Sequence, residues 1–149
     1  MPQIDIAPLT SPGRCDIRDS SFFSAGHAVF TVSNPGGEHY TYRIVQRDES
    51  SPFFVSLLTG PDNMSDYQYL GIYNPRTHQM YRTSKSSLGD SHTPVKVLRW
   101  ALDMVASSRL LPPGYSIHHE GKCCRCGRRL TTPQSIEAGI GPECSRRPR

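Results

Sequence analysis

Three cysteines near the end of this chain have the spacing of metal ligands. Cys123 and Cys126 form a Cys-x2-Cys pair followed directly by Gly127, and Cys144 comes after 17 intervening residues. Two thiolates in such a tight turn can reach one metal ion, and glycine permits the positive φ that the turn needs. In a reducing compartment, clustered cysteines are more often metal ligands than disulfides. The spacing therefore predicts a zinc ion bound by these three thiolates.

The fourth zinc ligand must lie elsewhere, because the chain has no second Cys-x2-Cys pair. His119, four residues before the pair, is the first candidate, and His118 is an alternative that spacing does not separate from it. Cys124 is a weaker alternative, because a side chain inside the pair should point away from the metal. A closed Cys3His site is structural, whereas an open fourth position is catalytic, with Glu120 or Glu143 as general base. We expect the structural type.

The segment from Cys123 to Cys144 resembles a domain family of unknown function that is common in bacteriophages and in bacterial proteins of uncertain role. The resemblance rests on the pattern Cys-x2-Cys-Gly-Arg-x-Leu-Thr-x-Pro-x-Ser-Ile-x2-Gly-x-Gly-Pro-x-Cys and on the His-x-Gly-x-Cys approach that begins at His119. It implies a phage accessory protein with a zinc-ribbon-like C-terminus, and it brings no known reaction. On the matching positions its ligands are Cys123, Cys126, Cys144 and His119.

The excess positive charge of the chain lies on the same segment. The net charge is +4, and residues 1–118 contain ten basic and ten acidic residues, whereas residues 119–149 contain seven basic and three acidic ones. Such a cluster can neutralise phosphates, although a solvated, solubilising tail has the same composition. The candidate residues for binding nucleic acid or another partner are Lys122, Arg125, Arg128, Arg129, Arg146 and Arg147.

These features favour nucleic-acid binding, to DNA or RNA, through a basic C-terminal surface. The alternative is a protein-interaction module, for example an inhibitor of a host defence or replication enzyme. The basic segment has no Phe, Tyr or Trp on which single-strand binders stack bases. Tyrosine pairs occur upstream, at Tyr40 and Tyr42 and at Tyr67 and Tyr69, and they form either a stacking platform or ordinary sheet packing.

An enzyme is not expected, because no catalytic constellation is visible. The chain has no Gly-rich phosphate loop and no nucleophile elbow, and His118-x-Glu120 lies too close to the first ligand cysteine to build a deaminase site. No apolar run approaches the roughly 20 residues that cross a bilayer, and no secretory signal is visible. We therefore expect a cytoplasmic protein, in the host bacterial cytoplasm if phage-encoded, without a membrane partner or a small-molecule substrate.

Upstream of the cysteines, alternating residues predict a small antiparallel sheet. The predicted strands are 28–32, 40–45, 53–58, 67–73 and 79–82. One helix is predicted from an N-cap at Thr93, with Pro94 at the first helical position, to about Ser107. The fold class is α+β, with about five antiparallel strands packed against one helix and followed by a small zinc-ribbon or knuckle-like module. The predicted divisions are an irregular arm 1–21, an α+β domain 22–112 and a zinc-binding module with a basic tail 113–149.

We expect the purified protein to contain stoichiometric zinc, because the predicted ligands complete a closed tetrahedral site. Cys144→Ser should remove most of this zinc, since it deletes one thiolate. The measurement is metal content by atomic emission on dialysed protein. Cys15→Ser, which changes a cysteine outside the predicted site, should keep the metal. Wild-type protein without stoichiometric zinc would contradict the prediction.

Overall fold

Short runs of alternating residues, separated by tight turns, build one curled sheet in this protein. The computed structural model describes residues 12–61 and 66–119, and these contain seven strands, one α-helix and one 3₁₀ turn. The strands are β1 (Arg14–Cys15), β2 (His27–Ser33), β3 (His39–Val45), β4 (Phe53–Leu58), β5 (Tyr67–Asn74), β6 (Gln79–Tyr81) and β7 (Ser116–His119). The helix α1 spans Thr93–Ala106, and the 3₁₀ turn spans Ser20–Phe22.

The middle of the sheet is an antiparallel meander in which β2 to β6 each pair with the next strand along the chain. The β2–β3 connection is closed by Asn34, whose N–H donates to the Glu38 carbonyl at 2.9 Å and whose side chain accepts from the Glu38 N–H at 3.0 Å. Gly37 adopts a φ of 87° in this turn, a conformation that favours glycine. All five predicted strands are confirmed, with small differences at their ends.

The predicted fold class is wrong in strand number and in direction. The described residues contain seven strands rather than about five, because β7 pairs antiparallel with β2 and β1 pairs parallel with β7. The order β1-β7-β2-β3-β4-β5-β6 is therefore a mixed sheet. The two residues of β1 and the four of β7 do not indicate by themselves which strand they pair with. β7 becomes a strand because the edge of β2 that faces away from β3 has backbone N–H and C=O groups that need partners, and β1 then pairs with the free edge of β7.

The zinc-ribbon or knuckle-like module of the predicted fold is not seen in the residues that the structure describes. Residues 120–149 lie outside them. The two flanking segments of the predicted division, 1–21 and 113–149, each contribute one strand to the sheet, namely β1 and β7.

Helix α1 packs an apolar face against the concave core of the sheet. Its buried residues are Val95, Leu98, Ala101, Leu102, Met104 and Val105, which share one face at helical spacing. The predicted N-cap was wrong by one residue: His92 occupies that position, and its Nδ1 accepts from the N–H of Gly89 at 3.0 Å. Within the described ranges, no helix combines the length and the apolar character of a membrane span.

Aromatic side chains fill the core between helix and sheet. The rings of Phe23 and Phe30 lie 4.9 Å apart, and Tyr73 packs 6.0 Å from Phe23. The hydroxyl of Tyr42 donates to the Pro94 carbonyl at 2.7 Å and so joins β3 to the first turn of α1. The hydroxyl of Tyr73, in contrast, is buried with no hydrogen-bond partner in the part of the chain that the structure describes. Two tyrosines of the same core thus differ in whether their polar atom is satisfied.

The two tyrosines should respond differently to loss of the hydroxyl. Tyr42→Phe should lower the free energy of unfolding by about 1 kcal/mol, since it removes a hydrogen bond. Tyr73→Phe should leave this free energy unchanged or raise it by about 1 kcal/mol, since it removes a buried polar group without a partner. Urea denaturation of both variants measures the difference, and equal destabilisation would contradict it.

The loss of stability at alkaline pH is a second measurement that reports on Tyr42 and Tyr73. Burial raises the pKa of Tyr73 from 10.0 to about 12, and burial also raises the pKa of Tyr42. The folded state therefore holds these protons more tightly than the unfolded state. The associated stability is complete below pH 10 and falls as the pH rises through the folded pKa. Tyr73→Phe should make this alkaline loss of stability shallower.

Candidate functional site

The two candidate histidine ligands lie at the end of β7, on opposite faces of the sheet. His119 pairs with Phe30 on the core face, and its ring centroid lies 6.2 Å from that of Phe22. His118 pairs with Thr31, whose side chain lies on the other face. Both imidazoles are half-buried. A site on one face of β7 can therefore recruit only one of them while the strand stays paired.

The predicted cysteine ligands, Cys123, Cys126 and Cys144, lie outside the described residues. The predicted basic residues also lie there, namely Lys122, Arg125, Arg128, Arg129, Arg146 and Arg147. Within 12–61 and 66–119, no three His, Cys, Asp or Glu side chains come together in a way that could hold a metal ion. Cys15 is exposed, and its thiol donates to the Ile17 carbonyl at 3.4 Å. The zinc site stays a prediction.

The structure separates the two tyrosine pairs that the sequence left ambiguous. Tyr42 is fully buried in the core, so it is a packing residue and not a stacking platform. Tyr40 is half-buried and packs on the edge of the same core. Tyr67 and Tyr69 are half-exposed on the outer face of the sheet, opposite α1. A β-bulge between Val55 and Ser56 shifts the register there and places Tyr69 opposite Ser56.

Arginines and aromatic rings meet on this outer face. The guanidinium carbon of Arg43 lies 3.9 Å from the centroid of the Tyr67 ring, and that of Arg47 lies 6.0 Å from the Phe54 ring. The Phe54 and Tyr69 rings lie 6.1 Å apart, edge to face. We call these five residues the arginine–aromatic surface. It arises from the alternation of side chains along β3. Tyr42 and Ile44 point into the core, so Arg43 between them points outward.

Neither arginine of this surface forms an ion pair with another described residue, in contrast to Arg82, Arg99 and Arg109. Arg47 is exposed and Arg43 is half-exposed. A guanidinium over a ring keeps its edge donors available while its face is stacked. The surface therefore offers positive charge and aromatic faces together.

The arginine–aromatic surface lies on β3, β4 and β5, with Arg47 two residues after the end of β3. Nearer to β7, the outer-face residues Val29, Thr31 and Thr41 are buried. The hydroxyl oxygens of Thr31 and Thr41 lie 2.7 Å apart across the strand pair and satisfy each other as hydrogen-bond partners. This part of the outer face is therefore buried, whereas the arginines and rings of the arginine–aromatic surface lie beside it and are partly or fully exposed.

A cavity of about 330 Å³ opens on the other side of the sheet, which we call the aromatic cleft. It lies between the end of the β2–β3 hairpin, α1 and the chain before β7, and its walls include Tyr40, Trp100 and Tyr115. Gly114 has a φ of 85°, and a Cβ there would lie 2.7 Å from the Pro35 ring, so glycine allows the chain to approach the hairpin closely. Trp100 is partly buried and packs on the edge of the core.

Residues 117–149 match the sequence model of a family of unknown function, DUF6011. The matched segment begins within β7 and contains the predicted cysteine ligands and the basic residues. The comparison therefore supports the resemblance at the level of a family of unknown function, and it names no activity. Phage origin stays a prediction. Comparisons with curated proteins and with solved structures found no match.

The opposite orientations of the two histidines give a test of the predicted ligand. His119→Ala should lose stoichiometric zinc, because it removes the imidazole predicted to complete the site. His118→Ala should keep the zinc, because its side chain lies on the other face. Metal content and the reactivity of the cysteine thiols toward an alkylating reagent measure both variants. Retention of zinc by His119→Ala together with loss by His118→Ala would assign the ligand to the other face.

Proposed function

We propose that the protein binds single-stranded nucleic acid, DNA or RNA, and that the arginine–aromatic surface and the basic C-terminal segment are its contact regions. The observation that carries this proposal is the stacking of Arg43 over Tyr67 at 3.9 Å, beside Arg47 and Phe54. Arginine and aromatic rings are the two side-chain types that single-strand binders combine. This surface supplies the aromatic rings that the basic segment lacks.

Each component of the surface has a distinct role in this proposal. The arginine guanidinium donates to phosphate oxygens, with a planar geometry that suits two parallel hydrogen bonds. The rings of Phe54 and Tyr69 offer faces or edges to unpaired bases, a contact worth about 1–3 kcal/mol per base. Bases in a duplex are already stacked and paired, so this contribution is available only from single strands. The proposal therefore includes a preference for single-stranded over double-stranded ligands.

The C-terminal segment adds electrostatic attraction. Its predicted contacts are Lys122, Arg125, Arg128, Arg129, Arg146 and Arg147, which lie outside the described residues. In this proposal, zinc bound by Cys123, Cys126, Cys144 and His119 is structural and holds part of the basic segment in place. Neutralised phosphates release counterions, so binding should weaken as salt rises. No catalytic step is part of the proposal.

A salt series separates the two contributions. Binding of labelled single- and double-stranded DNA and RNA is measured by fluorescence anisotropy. Arg43→Gln should lower the slope of log affinity against log salt by about 0.7, the value for one phosphate contact on a single strand. Tyr69→Ala should reduce affinity about tenfold while leaving the slope unchanged, since it removes stacking and no charge. Arg109→Gln is the matched control, because that exposed arginine already pairs with Asp103 at 3.2 Å.

Three outcomes bear on the proposal. Weak binding to every nucleic acid at low salt, with an affinity that hardly changes as salt rises, contradicts nucleic-acid binding and leaves the protein-interaction alternative. The slope of log affinity against log salt can also be steep but insensitive to Arg43→Gln. If changing Arg125, Arg128 and Arg129 together to Gln then removes this slope, binding is assigned to the C-terminal segment alone. Equal affinity for single and double strands contradicts the stacking role of the rings.

A further inference from the structure

The aromatic cleft is a cavity whose lining combines apolar and aromatic side chains with one carboxylate and one ammonium group. Its volume of about 330 Å³ lies within the range of small-molecule sites. Val32 and Val97 contribute apolar lining, and Tyr40, Trp100 and Tyr115 contribute rings. It opens on the face that carries α1, opposite the arginine–aromatic surface. An occupant of the cleft is therefore independent of the binding proposed for the outer face.

The rings of the cleft are arranged to accept a flat, apolar body. Trp100 and Tyr115 pack against each other with centroids 5.3 Å apart and planes at 54°, which holds the indole in place. Tyr40 is held from its other side by Tyr42, at 6.5 Å. All three rings are only half-buried in the absence of a ligand. A planar aromatic ligand would bury the remaining ring surface.

One anionic acceptor, Glu38, lines the cleft. The Asn34 side-chain amide donates to Oε1 of Glu38 at 3.2 Å, and the Glu38 N–H donates to the Asn34 side-chain oxygen at 3.0 Å. This reciprocal pair fixes the orientation of the carboxylate on the hairpin. The carboxylate can accept further hydrogen bonds but donate none, so it selects a ligand edge with adjacent donors. Guanine is the nucleobase whose pairing edge carries two adjacent donors, the ring N–H and the exocyclic amine.

One cationic donor, Lys96, also lines the cleft. Lys96 lies on the first turns of α1, is exposed, and forms no ion pair among the described residues. An ammonium group with three donors suits a phosphate oxygen. The cleft thus presents flat rings, a fixed acceptor and a cation that no other described residue neutralises. These three features correspond to the base, the base edge and the phosphate of a nucleotide.

We propose that the aromatic cleft binds one nucleotide, with guanine as the preferred base. The base lies against the rings of Trp100 and Tyr40, its donor edge faces Glu38, and its phosphate contacts Lys96. The same chemistry is offered by a free mononucleotide and by the 5′-terminal nucleotide of a strand. Both sources carry a base and a phosphate on one sugar, and the experiment distinguishes them.

Trp100 is the single tryptophan of the chain, so its fluorescence reports directly on the cleft. Titration of the full-length protein with GMP should quench this fluorescence saturably, because a stacked base contacts the indole. UMP should bind about tenfold more weakly, since its edge offers one donor between two acceptors. An oligonucleotide with a 5′-phosphorylated guanine tests the second source. Tighter binding of the oligonucleotide than of GMP assigns the site to strand ends, and equal binding assigns it to the free nucleotide.

Three exposed substitutions separate the contacts without disturbing the core. Glu38→Gln should weaken GMP binding about tenfold and remove the preference over UMP. Lys96→Met should weaken GMP severalfold and leave binding of guanosine, which has no phosphate, unchanged. Lys85→Met, an exposed lysine outside the cleft lining, is the matched control and should bind GMP as the wild type does. Thermal unfolding monitored by circular dichroism confirms that each variant is folded.

The inference is overturned if GMP at millimolar concentration causes no saturable quenching. It is also overturned if quenching persists unchanged in both Glu38→Gln and Lys96→Met, or if phenylalanine quenches with higher affinity than GMP. The outer-face variant Arg43→Gln keeps the cleft intact and should bind GMP normally. Failure of GMP binding therefore leaves the proposed single-strand binding untouched, and the reverse also holds.

Discussion

The pairing of β2 on both of its edges is the constraint on which the rest of this structure depends. β3 pairs with one edge along all seven residues of β2, and β7 pairs with the other edge along four. A strand in this position must be apolar on both faces, and β2 is buried at its five central residues. Without the second pairing, β1 would have no partner and the C-terminal segment would not begin inside the sheet. The positions of both histidines and of the aromatic cleft follow from it.

The sheet separates two chemically different surfaces. On the face of α1, the rings of Tyr40 and Trp100 border a cavity because the helix and the β2–β3 hairpin leave space between them. On the outer face, the side chain of Arg43 lies over a ring because adjacent strands of an antiparallel pair bring same-face residues close together. One surface is concave and carries charges of both signs, and the other is shallow and cationic. They can therefore serve different ligands in the same molecule.

Local pattern was sufficient for the elements that pair with a neighbour along the chain and insufficient for the others. Strands β2 to β5 were predicted because six to eight alternating residues carry a clear period, and the three-residue β6 was predicted because it follows β5 across a short turn. β1 and β7 were missed as members of the sheet because their partners lie far away along the chain. The N-cap was displaced by one residue because Thr93 and His92 both precede the proline, and propensity alone favours the threonine.

The tyrosines show why residue type alone did not identify the sites. Tyr42 and Tyr69 occupy similar alternating strands, yet one is fully buried and the other half-exposed. Their burial depends on which face α1 covers and on the bulge that leaves Leu70 of β5 unpaired, and both are properties of the packed sheet. The aromatic cleft combines residues from the β2–β3 hairpin, α1 and the chain before β7, and no sequence window contains it.

The sequence by itself determined the periodic elements, the clustering of cysteines and basic residues at the C-terminus, and the match of residues 117–149 to a family of unknown function. These properties are local, because they depend on spacing along the chain. Only the tertiary structure decided that β7 completes the sheet, that His118 and His119 face opposite ways, and that Arg43 stacks on Tyr67. Those properties depend on long-range pairing, in which segments more than eighty residues apart satisfy the same backbone groups.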